Sequence, residues 1–344
     1  MAKLSYFNRH AKLILKFYNQ ENLISPFKTV TYEHYISLNN TKIYNNTRIS
    51  FEVEKYPSKG LDYNGTAKIL IYNISDDIND LLANESLVKK LELQVGYGDK
   101  IETIYKGTIN TSYVSYAHND MITYMWCFSF SSVLLGKDYQ KSYSFKMPQT
   151  YKGMLNLILS DISLILQENI SVDTSYMDKE TEFNFGSGLF QNVTVDGLRG
   201  MLDRISKDLS CDYYIEDNKI YLGSFKDEKK LGLVELSPQN GLLNNPNVTD
   251  SGLEIKTILN PKIKMFTPIK VMSDFADYSG SGYNFTDATK RINANYLMGF
   301  KSFYSNSQAV YVSHKGDTHE NTWETNVTTV TLNETINTKA IKAL

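Results

Sequence analysis

The chain has 344 residues, 42% hydrophobic and 22% charged, so it can bury a sizeable core and lacks the low-hydrophobicity, high-charge signature of disorder. Its 36 basic and 38 acidic residues give a net charge of -2. That balance argues against a surface that grips nucleic acid by neutralising phosphates, which needs clustered Lys and Arg. Two cysteines, Cys127 and Cys211, are too few for a disulfide framework or a four-cysteine zinc site. Lys3, Arg9, His10, Lys12 and Lys16 interrupt any signal-peptide core, and no apolar run is long enough for a membrane-spanning helix. A soluble chain made in the cytoplasm, without stable membrane insertion, is expected.

The 25 tyrosines and 16 phenylalanines, with only seven prolines, favour strands. Lys12 to Phe17 is a candidate strand. Arg48 to Lys55 alternates, with Ile49, Phe51 and Val53 on one face and polar groups on the other, the period of a half-buried strand. Ala67 to Asn73 follows, then a short helix with Ser75 as N-cap, Asp76 and Asp77 in its first turn and Ile78, Leu81 and Leu82 on its apolar face. Strands are predicted at Lys90 to Tyr97, Lys100 to Ser115 and Met121 to Ser132, with a hairpin turn at Gly96 to Asp99.

The period then changes. Met154, Leu155, Ile158, Leu159, Ile162, Ile165 and Leu166 fall at helical spacing after Thr150, and Leu198, Met201, Leu202, Ile205 and Leu209 after Thr194. A strand pair, Asp212 to Glu216 and Lys219 to Gly223, turns at Asp217-Asn218. The last third returns to strands at Gly252 to Leu259, Pro268 to Met272, Gln308 to His314 and Thr322 to Leu332. A Gly/Ser-rich loop spans Asp277 to Asn284 and lacks the Lys-Ser/Thr of a phosphate loop.

Catalytic patterns are absent. There is no Gly-x-Ser-x-Gly elbow, neither cysteine has a catalytic context, and Asp161, Glu182 and Glu235 read as solvated carboxylates. A metal reading would take His314, Asp317 and His319, but their spacing matches no zinc pattern. No catalytic residue, metal or cofactor is assigned.

Two stretches are more informative. One runs from Gly241 through Pro246, Thr249, Gly252 and Leu259-Asn260-Pro261 to Ile263; the other holds His314, Gly316, Asp317, Trp323 and Thr325. Both resemble the baseplate hub, or tail-tip, proteins of long-tailed bacteriophages. In that family a GL-x-x-x-P-x-x-T-x-x-G turn precedes a strand ending in LNP-x-I, and an H-x-GD…W-x-T hairpin follows. Ile49 to Lys55, Ala67 to Ser75, Val95-Gly96-Tyr97 and Ile104 to Ile109 continue the resemblance, which spans nearly the whole chain in order. Lys264 to Pro268 departs from it, because the family usually has a Pro-Gly turn there. Read structurally, Gly241 and Gly252 supply turn conformations, Pro246 and Pro261 punctuate strand ends, Gly316-Asp317 makes a hairpin turn, and Trp323 is an apolar anchor whose N–H wants an acceptor.

The resemblance implies a β-rich α+β fold with two tail-tube-like β-barrel domains, 1–135 and 227–335, around a small helix-strand middle domain, 136–226, with a C-terminal tail at 336–344. It also implies a structural, non-enzymatic baseplate hub. As a homotrimer, the hub would adapt the hexameric tail tube protein to the trimeric central spike protein, contact other baseplate proteins, and form part of the channel through which phage DNA passes. The location implied is the virion tail, assembled in the host cytoplasm. The β-domains should line the channel, while the helices at 151–168 and 195–209 face away from it. The alternatives are a tail-associated peptidoglycan hydrolase and a host-surface binding tip protein using the loop Asp277 to Thr286.

Overall fold

The computed structural model describes residues 8–23, 25–36, 43–44, 47–56, 65–129, 140–146, 150–166, 170–176, 190–216, 219–223, 225, 232–249, 252–273, 276–278 and 303–331. The segment 279–302, the Asp217-Asn218 turn, Glu182 and the C-terminal tail, all singled out in the sequence, lie outside these residues.

The N-terminal region is built from β1 (Arg9–Asn19), β2 (Lys28–Ile36), β3 (Ile43–Tyr44), β4 (Ile49–Lys55), β5 (Gly65–Tyr72), helix α1 (Asp76–Ala83), β6 (Leu87–Tyr97), β7 (Lys100–Ala117) and β8 (Asp120–Phe128). Strict alternation buries Ala11, Leu13, Leu15 and Phe17 of β1, Ile49, Phe51 and Val53 of β4, and Ala67, Ile69 and Ile71 of β5 on one side. Ile78 and Leu82 of α1 close over that side and join the same core. Ser75 caps α1 through its carbonyl, which accepts the N–H groups of Ile78 and Asn79, and Lys28 pairs with Asp77 at 2.7 Å. The sequence did not flag β2, whose Thr29, Thr31 and Glu33 alternate with Val30, Tyr32 and His34, a weakly apolar pattern suited to a sheet edge.

The middle region contains β9 (Gln140–Lys146), α2 (Tyr151–Leu166), β10 (Ser171–Tyr176), β11 (Phe190–Asp196), α3 (Leu198–Asp208), β12 (Asp212–Glu216) and β13 (Lys219–Gly223). Thr150 caps α2, its hydroxyl accepting the Gly153 N–H at 3.1 Å. The second helix starts later than the expected 195: Val193, Thr194 and Val195 hold an extended strand against β9, and Gly197 at φ 73° breaks the chain into α3. The β-branched run prefers the strand. Met154, Leu155, Ile158, Leu159 and Ile162 pack with Leu198, Met201, Leu202, Ile205, Ile220 and Leu222 in a core of their own.

The C-terminal region supplies β14 (Val234–Leu236), β15 (Asn247–Val248), β16 (Leu253–Ile258), β17 (Pro268–Ser273), β18 (Asp277–Tyr278), β19 (Phe303–Asp317) and β20 (Trp323–Thr331). Among the described residues the two β regions do not form two closed barrels. They join in one 15-stranded sheet ordered β18-β15-β16-β20-β19-β4-β5-β8-β7-β6-β1-β2-β3, with β17 and β14 branching from β19. The branch has a local cause. Residues 303–308 of β19 pair with β17, whereas Val312–Asp317 pair with β4. A register shift between Ala309 and Tyr311 separates the two halves, and such bulges bend and twist a strand.

The Lys264–Thr267 turn is where the chain departs from the hub pattern, and Phe266 occupies it at φ 61°. The turn closes through Thr267 N–H to Lys264 O at 3.1 Å. A side chain in this left-handed region costs about 1–2 kcal/mol, and here it is held by ring contacts with Phe225 at 4.6 Å and Tyr214 at 5.3 Å. Phe266→Gly should therefore be more stable than Phe266→Ala by about 1 kcal/mol in urea denaturation, since both lose the ring and only alanine keeps the strained backbone. Equal stability would contradict this account of the turn.

Candidate functional site

Of the residues singled out from the sequence, His314, Gly316 and Asp317 lie on the β4–β19 ladder, the seam between the two β regions, and Leu259, Asn260, Pro261, Trp323 and Thr325 gather beside it. The inward row across it reads Thr257, Thr325, His314, Val53, Ala67 and Cys127 on β16, β20, β19, β4, β5 and β8. Asn260 N–H donates to Thr325 Oγ1 at 2.9 Å, and the same hydroxyl lies 2.9 Å from His314 Nδ1. Pro261 sits in a turn closed by Ile263 N–H to Asn260 O, and Leu259 N–H donates to Trp323 O at 3.0 Å. The Asn260-Pro261 turn is thus tied to the Trp323–Thr325 strand. Leu259 and Trp323 come from the C-terminal region, yet both bury in the N-terminal core.

Upstream, Gly241 O accepts from Thr257 Oγ1 at 2.7 Å and from Ile258 N–H at 2.8 Å. Pro246 O accepts Asp277 N–H at 2.9 Å, and Thr249 closes a loop onto Gly252 through bonds of 2.9 and 3.2 Å. Gly252 differs from expectation. It has no left-handed φ; its requirement is close approach, since a Cβ there would lie 1.9 Å from the Thr329 carbonyl oxygen.

The three residues that a metal reading would take, which the sequence already argued against, have separate surroundings. His314 is fully buried against Thr325, Asp317 is chelated by Arg48 with contacts of 2.9 and 3.2 Å, and His319 is exposed, 5.0 Å from the His34 ring. Asp317 also accepts the N–H groups of His319 and Glu320, so it caps the loop instead of lying free for a ligand. Trp323 Nε1, expected to find an acceptor, has none among the described residues. The candidate carboxylates are also engaged: Asp161 with Lys141 and Tyr143, and Glu235 with Lys270.

Sequence reasoning missed a buried ion cluster beside the seam. The alternation of β4 carries on to Lys55, which places a charge on the apolar side. There it pairs with Glu216 of β12, and Lys264 Nζ lies 3.7 Å from the other carboxylate oxygen. Burial pushes the Glu216 carboxyl up, but the two lysines outweigh it and hold it below the ordinary range. One carboxylate thus links the N-terminal, middle and C-terminal regions. The unbroken i, i+2 pattern through Lys55 was the available signal.

Burial, with Lys55 nearby, pulls His314 down to about 3 from its ordinary 6.5. The folded value is depressed, so the contribution is intact above pH 6.5. Below it the unfolded chain binds a proton that the folded chain refuses, and stability falls by up to about 1.4 kcal/mol per pH unit until pH approaches 3. Denaturant unfolding at pH 7, 6 and 5 should show this slope, reduced in His314→Gln. An identical slope in the variant would contradict it.

The opposite face of the sheet is mostly polar and carries charges of both signs. Its rows read Ile258, Glu324, Lys315, Glu52, Lys68, Trp126 and Thr111, and Lys256, Asn326, Ser313, Glu54, Thr66, Phe128, Thr108, Lys90, Lys16 and Thr29. Lys315 pairs with Glu52, Lys256 with Glu324 at 2.8 Å, Lys106 with Glu92 at 3.9 Å and Lys12 with Glu33 at 3.9 Å, while the Tyr311 hydroxyl donates to Glu54 at 2.7 Å. Cross-strand pairing of this kind offsets part of the positive charge on this face, while Lys16 and Lys90 stand directly opposite each other.

No curated protein sequence matches significantly. Distant structural likenesses include the tail protein from Neisseria meningitidis MC58, at 7% identity and TM-score 0.48 over 93% of this chain and 97% of that one. They also include the 43 kDa tail protein of prophage MuSo2 from Shewanella oneidensis, at 10% identity and TM-score 0.47 over 93% and 98%. The family assignment rests on sequence: the model described as Baseplate hub gp41 matches residues 58–285, about two-thirds of the chain, including the Gly241 to Pro261 stretch though not the terminal hairpin. The chain belongs to the Baseplate hub gp41 family of phage tail proteins.

Proposed function

We propose that the chain is the structural hub of a phage tail baseplate, acting as a homotrimer. Each copy contributes two tail-tube-like β-domains, 1–135 and 227–335, so that three copies offer six similar units to a hexameric tail tube and a threefold face to a central spike. The middle domain, 136–226, sits outside that ring. The hub forms part of the path of the DNA, lies in the virion tail after assembly in the host cytoplasm, and performs no catalysis.

One observation carries this reading beyond family membership: a single sheet runs through both β regions and presents a polar, ion-paired face across ten strands. Such a face suits the wall of a conduit, because paired charges neither hold phosphates nor repel them strongly. Ring closure requires heterologous contacts between copies.

Native mass measurement of the full chain, alone and mixed with tail tube protein and spike protein from the same virion, tests the proposal. A trimer that binds both partners is expected. A monomer with affinity for neither would overturn it, and cell-wall hydrolysis by the purified chain would favour the peptidoglycan hydrolase instead.

A further inference from the structure

The long hairpin of β7 and β8 outgrows its neighbour. β6 pairs only with Lys100–Thr108 of β7, so among the described residues no strand covers the outer edge of β7 from Asn110 to Ala117. This segment, Asn-Thr-Ser-Tyr-Val-Ser-Tyr-Ala, contains no charge and no proline. Proteins that leave an edge in water usually blunt it with Lys, Pro, a bulge or a short strand. Here a bulge at Asn110 marks where β6 stops, and the Ser112 hydroxyl donates to Leu82 O of α1. The seven uncharged residues from Thr111 to Ala117 still present about 24 Å of edge without a strand partner among the described residues, and Tyr113, Val114 and Tyr116 are 50%, 38% and 77% exposed. Trp126 on β8 is 44% exposed, and Tyr124 stacks on Tyr113 at 4.7 Å. Large exposed apolar side chains therefore gather on both faces of the open edge, as at a protein interface.

The same chain carries a second open edge of matching length. β3 pairs with β2 only at Tyr35 and Ile36, which leaves Lys28–His34 uncovered among the described residues, beside Phe27 at 51% exposure. This edge is rich in Thr, Val and Tyr, the residue types that pair well across strands.

We infer that the Asn110–Ala117 edge of one copy pairs with the Lys28–His34 edge of the next, so that the sheet continues from subunit to subunit. The two edges are different, so each contact is heterologous and repeats by rotation until the ring closes. The inference rests on the trimer proposed above and assigns its contact edges. It commits to a second copy because two uncovered strand edges of similar length are both present in one chain, with Thr, Val and Tyr on each.

Oxidative cross-linking of the full chain in a Cys211→Ser background tests it; Cys127 is fully buried and stays silent. Thr111→Cys, Tyr113→Cys and Ser115→Cys, all on one face of β7, are each combined with Thr31→Cys on the same face of β2. At least one combination should give a covalent trimer on a denaturing gel, and no single substitution should cross-link. A covalent dimer from Tyr113→Cys alone would mean two-fold β7 to β7 pairing and overturn the inference. A trimer by native mass with no cross-link in any combination would sink the edge pairing and leave the hub reading standing, whereas a monomer would remove both. As a second measurement, Val114→Lys with Ser115→Lys should abolish the trimer while the far-ultraviolet circular dichroism stays unchanged. A trimer that survives both lysines would count against the pairing.

Discussion

Replacing Trp323 by alanine is expected to lower the free energy of unfolding by about 3–5 kcal/mol, the usual loss for a large buried aromatic. Trp323 is 4% exposed although it starts a strand next to a polar loop. Its ring meets Phe51 edge-on at 5.4 Å, and both rings close over Gly316, where an added Cβ would lie 2.4 Å from Phe51 and 2.7 Å from Trp323. Arg9 lies over the indole at 5.5 Å and donates to the carbonyls of Glu320 and Asn321 at 2.5 and 3.1 Å. Removing the indole therefore opens a void where β1, β4, β19 and β20 come together, and the surrounding strands relax only in part. Thermal and denaturant unfolding should report the loss. A melt unchanged within error would mean that Trp323 does not anchor the seam.

Glu216→Gln should be similarly costly, at about 3–5 kcal/mol, because it leaves Lys55 as an uncompensated buried charge. Lys55 and Glu216 are each only 8% exposed, so neither regains water when its partner goes. The paired change Lys55→Met with Glu216→Leu should recover most of that loss, since a buried ion pair is often no better than a well-packed apolar pair of similar volume. Because Lys55 and Lys264 hold the carboxyl below its ordinary 4.5, the contribution is present above that pH and disappears as pH falls through the folded value. Urea titrations of the single and double variants at pH 7 measure the two stability changes, and repeating them at pH 4 checks the sign of the pH dependence. If Glu216→Gln is neutral, or if the double variant is as unstable as the single one, the three regions are not joined through this carboxylate.

Much of the fold was legible because burial leaves a period of two or of 3.6 in the sequence. Ile49, Phe51 and Val53 marked β4, and Met154 to Ile162 marked α2, since each buries a single stripe. What the sequence withheld was pairing between distant strands. Nothing in Val312–Asp317 announces that β4 lies beside it, and the continuous sheet rests on that ladder. Edge strands such as β2 carry weak alternation because both faces stay partly wet, and β11 masked the true start of α3 with a β-branched run. Among the singled-out residues, His314, Asp317, Trp323, Thr325 and Asn260 were visible as a pattern, but the pairing of Asp317 with Arg48, Trp323 with Phe51 and Thr325 with Asn260 became visible only in three dimensions. Lys55 was legible in principle, as a charge on the apolar phase of a strand.

The most direct measurement is the structure of the assembled full-length particle by electron cryomicroscopy. The account predicts a threefold ring in which the polar, ion-paired face of the continuous sheet lines the lumen and the helices at 151–166 and 198–208 lie outside it. A ring whose central pore is basic and walled by those two helices would contradict the account, and so would a chain that remains monomeric beside its tube and spike proteins.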